Sequence, residues 1–351
     1  MATTSTRTAL SSVDDHLGPA DQRFFGRGFR RVGYDIGDVR IAAAEDGGLR
    51  SGATVGVRYP VDWSKKAASG DLRPHFSTID ALVVAAQLTE VCLAGSADGG
   101  ADLTTAWLRR VRIGAGGKPQ EDLEGLAASA VRRGVGPVED AAGEPAPGLS
   151  ASVFDCAIGA MRVQCEVVHP SLRPVPGERR FAHPDDLLGP AADRYFGTGF
   201  TARRQHVRDV EVDQAGLGAT ARLTLAPDGP QPRTPAGIAA AHQPSVSMVD
   251  AFVTALQLAQ VMLYEHDGVR RQDSNTLWMR QTVMSAGHPE RIGADGVPVT
   301  TRLAALDLLR MRGATWRTLD VLGEMAGIRL KSSVTHQLPE GHRLVPHTSA
   351  H

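Results

Sequence analysis

The sequence predicts an α+β protein built from two copies of one domain, each an antiparallel sheet wrapped around a long buried helix. Three observations predict it. First, the chain of 351 residues repeats itself at an offset of about 171. Residues 14–29 read DDHLGPADQRFFGRGF and residues 185–200 read DDLLGPAADRYFGTGF, with eleven of sixteen positions identical. PHFSTIDALVVAAQLTEV (74–91) returns as PSVSMVDAFVTALQLAQV (244–261), and Trp107 returns as Trp278. So long a period exceeds a solenoid or propeller unit and fits a domain fused to its copy, which places its sites by pseudo-twofold symmetry. Second, DALVVAAQLTEVCLA is apolar around nearly its whole circumference, and such a helix is buried on all sides. Third, the segments around it read as strands bounded by turn residues.

In order along the chain, strands are expected at Val32–Ala43 and Ala53–Tyr59, joined across a GlyGly turn. A helix follows from about Ser77 to Leu93, with Ser77 or Thr78 as its cap and Asp80 in its first turn. Three strand-like segments then read Thr104–Ile113, Leu126–Arg133 and Ser152–His169. The second copy repeats the order, with strands at Gln205–Asp213 and Ala219–Leu225, a helix from about Ser247 to Tyr264, and strands at Thr276–Met284, Arg302–Arg312 and Thr315–His336. One helix wrapped by an antiparallel sheet is the hot dog architecture, and a fused pair with helices packed back to back is its double form. The expected division is a disordered tail at 1–11, domains at 12–170 and 181–337, a Pro-rich linker at 171–180 and a tail at 338–351.

Composition excludes several functions. A formal net charge of −1 gives no footprint for nucleic acid or a membrane surface. The N-terminus has no apolar core of signal-peptide length, no apolar run reaches transmembrane length, and the expected location is the cytoplasm. Cys92, Cys156 and Cys165 have no zinc or disulfide spacing and read as small buried thiols.

The chemistry should lie where the buried helices turn polar. Each copy reads P-x-x-S-x-x-D with Gln seven residues after the Asp, which gives Ser77, Asp80 and Gln87, then Ser247, Asp250 and Gln257. Seven residues is about two helical turns, so Asp and Gln share a stripe. Ser and Asp serve either as a cap or, in an apolar site, as a carboxylate of raised pKa that moves protons. The free N–H groups of the helix N-terminus suit an oxyanion. His75 and His242 are the nearest histidines and do not align with each other. Trp107 with Arg109, and Trp278 with Arg280, share a strand face by alternation and are candidates for substrate contact. His169 and His336 end strands and read as rim or structural groups. The small residues Ala81, Ala85, Ala86, Ala251 and Ala255 suggest an acyl tunnel running toward Leu88 or Leu258.

Two resemblances follow from these motifs. The spacing Pro74 to Asp80, and Pro244 to Asp250, resembles the hydroxyacyl-carrier-protein dehydratases, but the position of their catalytic histidine is Lys66 and Ala236 here. The block D-x-L-G-P-A-x-x-R-F-F-G-x-G-F, followed by PHFSTIDALVVAAQL, resembles the avirulence protein D (AvrD) family across all but the tails. That resemblance implies synthesis of syringolide-type acyl-sugar signals. A β-ketoacyl thioester, on CoA or acyl carrier protein, would be joined to a hydroxyl of a small hydroxyketone or ketose such as xylulose, with aldol closure to a butenolide-type product. Asp80 or Asp250 would take the hydroxyl proton, and no metal or redox cofactor is implied. The alternatives are a hot dog thioesterase or dehydratase, or a protein that only binds acyl ligands. Expected partners are small molecules and an acyl carrier protein, with no nucleic acid or membrane, in a monomer (a pseudo-dimer) or a homodimer.

Overall fold

Fourteen strands and two long helices account for most of the described residues. The computed structural model describes residues 7–44, 48–65, 73–95, 101–139, 143–172, 177–231, 235–311 and 313–339. The first half holds β1 (Arg7–Ser12), α1 (Asp14–Leu17), β2 (Gly33–Ala43), β3 (Leu49–Arg58), α2 (Thr78–Gly95), β4 (Trp107–Gly114), β5 (Leu126–Glu139), β6 (Pro145–Ile158) and β7 (Met161–Pro170). The second holds β8 (Arg179–Phe181), α3 (Asp185–Leu188), β9 (Arg203–Asp213), β10 (Gly218–Pro227), α4 (Met248–Asp267), β11 (Leu277–Ala286), β12 (Val297–Met311), β13 (Ala314–Met325) and β14 (Ile328–Gln337).

All strands join one antiparallel sheet in the order β1-β9-β10-β12-β13-β14-β11-β4-β7-β6-β5-β3-β2-β8. Reversing that order and exchanging the copies returns the same order, as a pseudo-twofold requires. β4 and β11 meet at its centre, where Arg112 lies opposite Val283, its own equivalent at offset 171. At the edges the halves exchange strands. β1 pairs with β9 with Leu10 opposite Val210, and β8 pairs with β2 with Phe181 opposite Val39. These registers are the same at offset 171.

This exchange corrects the expected tail at 1–11, since residues 7–11 lie in β1. The expected linker at 171–180 ends inside β8, and its residues 173–176 lie outside the described residues. At the other end Leu338 is buried and its N–H bonds to the Thr315 carbonyl at 2.9 Å. Residues 1–6 and 340–351 of the two expected tails also lie outside the described residues. The segments Ser152–His169 and Thr315–His336 are hairpins rather than single strands. They turn at Gly159 and Gly327, whose positive φ of 51° and 71° suits glycine.

Both helices begin with a reciprocal cap. Ser77 N–H donates to Asp80 Oδ2 at 2.7 Å and Asp80 N–H to Ser77 Oγ at 3.2 Å. Ser247 and Asp250 make the same pair, which satisfies donors the helix leaves free. α2 is buried along its whole length; it is apolar and long enough to cross a membrane, but protein covers it. α2 packs on β2–β7, and α4 on β9, β10 and β12–β14. α2 also meets α3, and α4 meets α1, so each long helix packs against the short helix of the other half in a crossed arrangement. The repeated glycines close each short block onto itself. A Cβ on Gly26 or Gly197 would stand 2.3 or 2.2 Å from the carbonyl oxygen of Ala20 or Ala191.

Candidate functional site

The crossed arrangement makes two related clefts between the halves. The first lies where the N-terminus of α2 faces α4 and β11, and it encloses about 770 Å³. Phe252, Leu256 and Gln260 line it from α4, four residues apart and therefore on one stripe. Tyr59, His75 and Ser77 line it from the first half, and Trp278 from β11. The His75 ring lies 4.8 Å from the Trp278 ring and 6.3 Å from that of Trp63, centroid to centroid. Burial lowers the His75 pKa, so the imidazole is neutral at neutral pH and free to accept a proton.

Asp80 stands behind this wall, fully buried. Tyr34 donates to its Oδ1 at 2.7 Å and Tyr59 to its Oδ2. Tyr59 also reaches the His75 carbonyl at 2.9 Å, which ties the carboxylate to the histidine loop. Burial raises the Asp80 pKa, against the lowering pull of these hydrogen bonds. Burial, together with the Asp80 charge, raises both tyrosines well above their usual value. Among the described residues the carboxylate therefore has hydrogen-bond donors and no cation.

Asp250 differs. Arg203 forms an ion pair with it, and Gln205, the equivalent of Tyr34, donates to its Oδ1 at 2.7 Å. Burial opposes the Arg203 charge most strongly, but Asp250 and Tyr195 together outweigh it and the guanidinium pKa is raised. Arg203 also stacks 4.6 Å above the Tyr195 ring and bonds the Tyr195 hydroxyl at 2.8 Å. The second cleft is closed by residues 236–242. Ile238 is fully buried there, its N–H bonds to Glu90 Oε1 at 2.5 Å, and Ala239 N–H reaches the Ala106 carbonyl at 2.7 Å. Glu90 pairs with Arg194 at 3.6 Å. Trp107, the equivalent of Trp278, meets the rings of His242 at 6.0 Å and His288 at 4.9 Å.

The structure thus gathers His75, Ser77, Trp278 and Arg280 around the open cleft and leaves other expected residues outside it. Ser77 and Ser247 are caps. Gln257 accepts from Arg23 Nη1 at 2.7 Å, and Gln87 is buried on α2. Arg109 does not share the Trp107 face, because a bulge falls between Leu108 and Arg110, and it pairs with Glu166. The same bulge falls between Met279 and Gln281. It turns Arg280 to solvent at the cleft mouth. His169 bonds Ser152 Oγ at 2.8 Å inside the fold. His242 bonds the Thr105 carbonyl at 3.0 Å, and the three cysteines are buried thiols. The alanine tunnel is also corrected. The cavity follows the stripe of Phe252 and Leu256, while Ala255 faces Gly323, where an added Cβ would stand 2.9 Å from its own. Sequence reasoning missed Tyr34, Tyr59, Tyr195 and Arg203. Tyr34, on β2, carried a signal as the repeat partner of Gln205, and Tyr195 as a member of the repeated block at 185–200.

Residues 8–339 match the family described as Pseudomonas avirulence D protein (AvrD). Among curated proteins nothing matches the sequence. Similar solved structures include a Mycobacterium tuberculosis protein described as having a double hotdog fold. It is 13% identical, with 96% of this chain and 97% of that chain covered at a TM-score of 0.41. A tesB protein of Mycobacterium avium subs paratuberculosis is 10% identical, with 83% and 93% covered at 0.36. The dehydratase domain of PpsC from Mycobacterium tuberculosis, in complex with C12:1-CoA, is 12% identical, with 86% and 98% covered at 0.33.

Proposed function

From the premise that the chain belongs to the AvrD family, which the match over residues 8–339 shows, we propose that it is a double hot dog enzyme joining a β-ketoacyl thioester to a hydroxyl of a small hydroxyketone or ketose. The observation that carries this reading is the first cleft. It has an apolar stripe on α4, a neutral histidine in its wall and a helix N-terminus beside it. The acyl chain lies along Phe252 and Leu256. His75 takes the proton as the acceptor oxygen forms its bond to the thioester carbonyl carbon. The N-terminal amides of α2 hold the oxyanion. The carbon–sulfur bond then breaks, and the thiolate recovers the proton from His75. Asp80 is a positioning residue. It caps α2 and fixes Tyr59, which holds the His75 backbone. An intramolecular aldol closure of the product, with loss of water, gives a butenolide-type ring. CoA or an acyl carrier protein brings the acyl group, no further cofactor is needed, and the reaction runs in the cytoplasm, where such thioesters are made.

The test is mass spectrometry of products after mixing the protein with β-ketoacyl thioesters and a panel of small ketoses. An acyl-ketose adduct that requires both substrates supports the reading. Free acid formed without a ketose indicates a thioesterase, loss of water from a β-hydroxyacyl substrate a dehydratase, and binding without turnover a carrier of acyl ligands. Each of these outcomes overturns the transfer.

A further inference from the structure

Beside the first cleft lies a second cavity of about 1120 Å³, between α1 and the C-terminal end of α4, and the two share Trp63, Ser64 and Arg271 in their walls. Arg271 is half-buried at this junction. Its Nη2 donates to the Gln22 carbonyl at 2.9 Å. The same carbonyl takes the Lys65 N–H at 3.0 Å, which fixes Lys65 on the rim. The described carboxylates nearby already have partners, though Glu265 Oε2 makes no hydrogen bond among the described residues. Asp14 holds Arg23, Asp15 takes Ser11 and Ser12, Glu265 faces His16 at 3.6 Å, and Asp273 holds Arg270 at 2.7 Å. Among the described residues Arg271 is left with a neutral carbonyl. Behind it Arg23, 2% exposed, also lines the first cleft, and its Nε has no hydrogen-bond partner among the described residues. Burial, with a further push from the Arg271 charge, pulls Arg23 down to about 10 against the pull of Asp14. Arg271 thus stands at this junction without a carboxylate partner among the described residues, beside an Arg23 whose one carboxylate partner is Asp14, and a charge drawn out of water without a counterion is costly.

We infer that Arg271, with Arg23 behind it and Lys65 on the rim, is a phosphate site for the ligand whose reactive end occupies the first cleft. A planar guanidinium fork matches a phosphate with two parallel hydrogen bonds, and a phosphate supplies the charge this junction lacks. The identity of the reactive end rests on the proposed function; the phosphate site itself does not. The phosphate belongs either to the carrier arm of the thioester or to a phosphorylated acceptor, and the two are separable.

The test is calorimetric binding to the full chain with two matched probe pairs, 4′-phosphopantetheine against pantetheine and glycerol 3-phosphate against glycerol. At least a tenfold preference for the phosphorylated member is expected in one pair, which assigns the phosphate to arm or acceptor. Arg271→Gln should erase that preference while leaving the melting temperature of the free protein close to wild type, and Arg271→Lys should restore part of it. Wild-type protein that shows no preference in either pair overturns the inference without any variant, and so does an Arg271→Gln protein that keeps it. A phosphate preference without acyl transfer removes only the proposed function. Transfer without a phosphate preference removes only this site.

Discussion

The two clefts share a frame and differ in content. Phe252, Leu256 and Gln260 on α4 correspond to Leu82, Ala86 and Glu90 on α2, Arg23 corresponds to Arg194, and Trp278 to Trp107. Among the described residues the first cleft is a cavity, while in the second Ile238, whose repeat equivalent lies outside the described residues, occupies the space beside Glu90. The carboxylates diverge in the same sense. Asp80 is held by two tyrosines, and burial raises its pKa, whereas Asp250 is paired with Arg203. The second cleft is a brace of ion pairs and a filled core.

The largest expected effect is on turnover. His75→Ala should lower acyl transfer by about 10²- to 10⁴-fold, the usual worth of a positioned general base, with little change in melting temperature. His242→Ala, which removes a bond to the Thr105 carbonyl, should leave turnover within about threefold, since a surface hydrogen bond is worth about 1 kcal/mol. Product formation rates for the two variants decide it. Equal losses would make the clefts functionally alike and break the comparison.

Much of this frame was legible in the sequence. The 171-residue offset fixed the pairing of elements, and the all-round apolar character of α2 announced its burial. The exchange of β1 and β8 between halves was not legible. A short strand of mixed polarity is placed by the edge it meets, and that edge belongs to the other copy. Arg109 and Arg280 were misread because alternation assumes an unbroken strand, and both sit at a bulge. In the site, His75 and Ser77 were found from spacing to the helix. Tyr59 and Arg203 were not, because their link to the aspartates comes from strand ends folded back onto the helix cap, a relation with no fixed spacing.

The next effect is on stability, and it falls on the opposite cleft. Asp250→Asn strands the buried Arg203 charge and should cost about 3–5 kcal/mol. Asp80→Asn keeps one oxygen to accept from a tyrosine and should cost only about 1–2 kcal/mol. Denaturant melts of both variants read this directly. A larger loss from Asp80→Asn would show that the tyrosine-held carboxylate is the structural one.

A smaller effect separates the cavity from the packed face of the same helix. Ala255→Leu drives a side chain into Gly323 and should cost about 1–3 kcal/mol by overpacking, with the preferred acyl chain length unchanged. Leu256→Phe, one residue on and facing the cavity, should shorten that preference at little cost in stability. Chain-length profiles with matched thermal melts test both, and a shortened preference from Ala255→Leu would return the acyl chain to the alanine face.

The smallest effect is a pH signature of the closed cleft. Burial lifts the Glu90 carboxyl to about 7, against the opposing pull of Arg194 and the Ile238 N–H. Its ordinary value of 4.5 applies to the unfolded chain, so between the two the folded protein binds the extra proton. The stabilisation this gives is complete below the unfolded value and is lost as pH rises through the folded one. Protonation leaves Arg194 partnered, because Asp185 holds its Nη2 at 2.6 Å. Glu90→Gln puts into the second cleft the amide that Gln260 already supplies in the first, and its oxygen can still accept from Ile238. Between about pH 6 and about pH 8 the wild-type melting temperature should therefore fall by roughly a few degrees more than that of Glu90→Gln. Parallel melting curves across that range would mean that Glu90 stays ionised beside Arg194, and the closed cleft would then be held by charge at every pH.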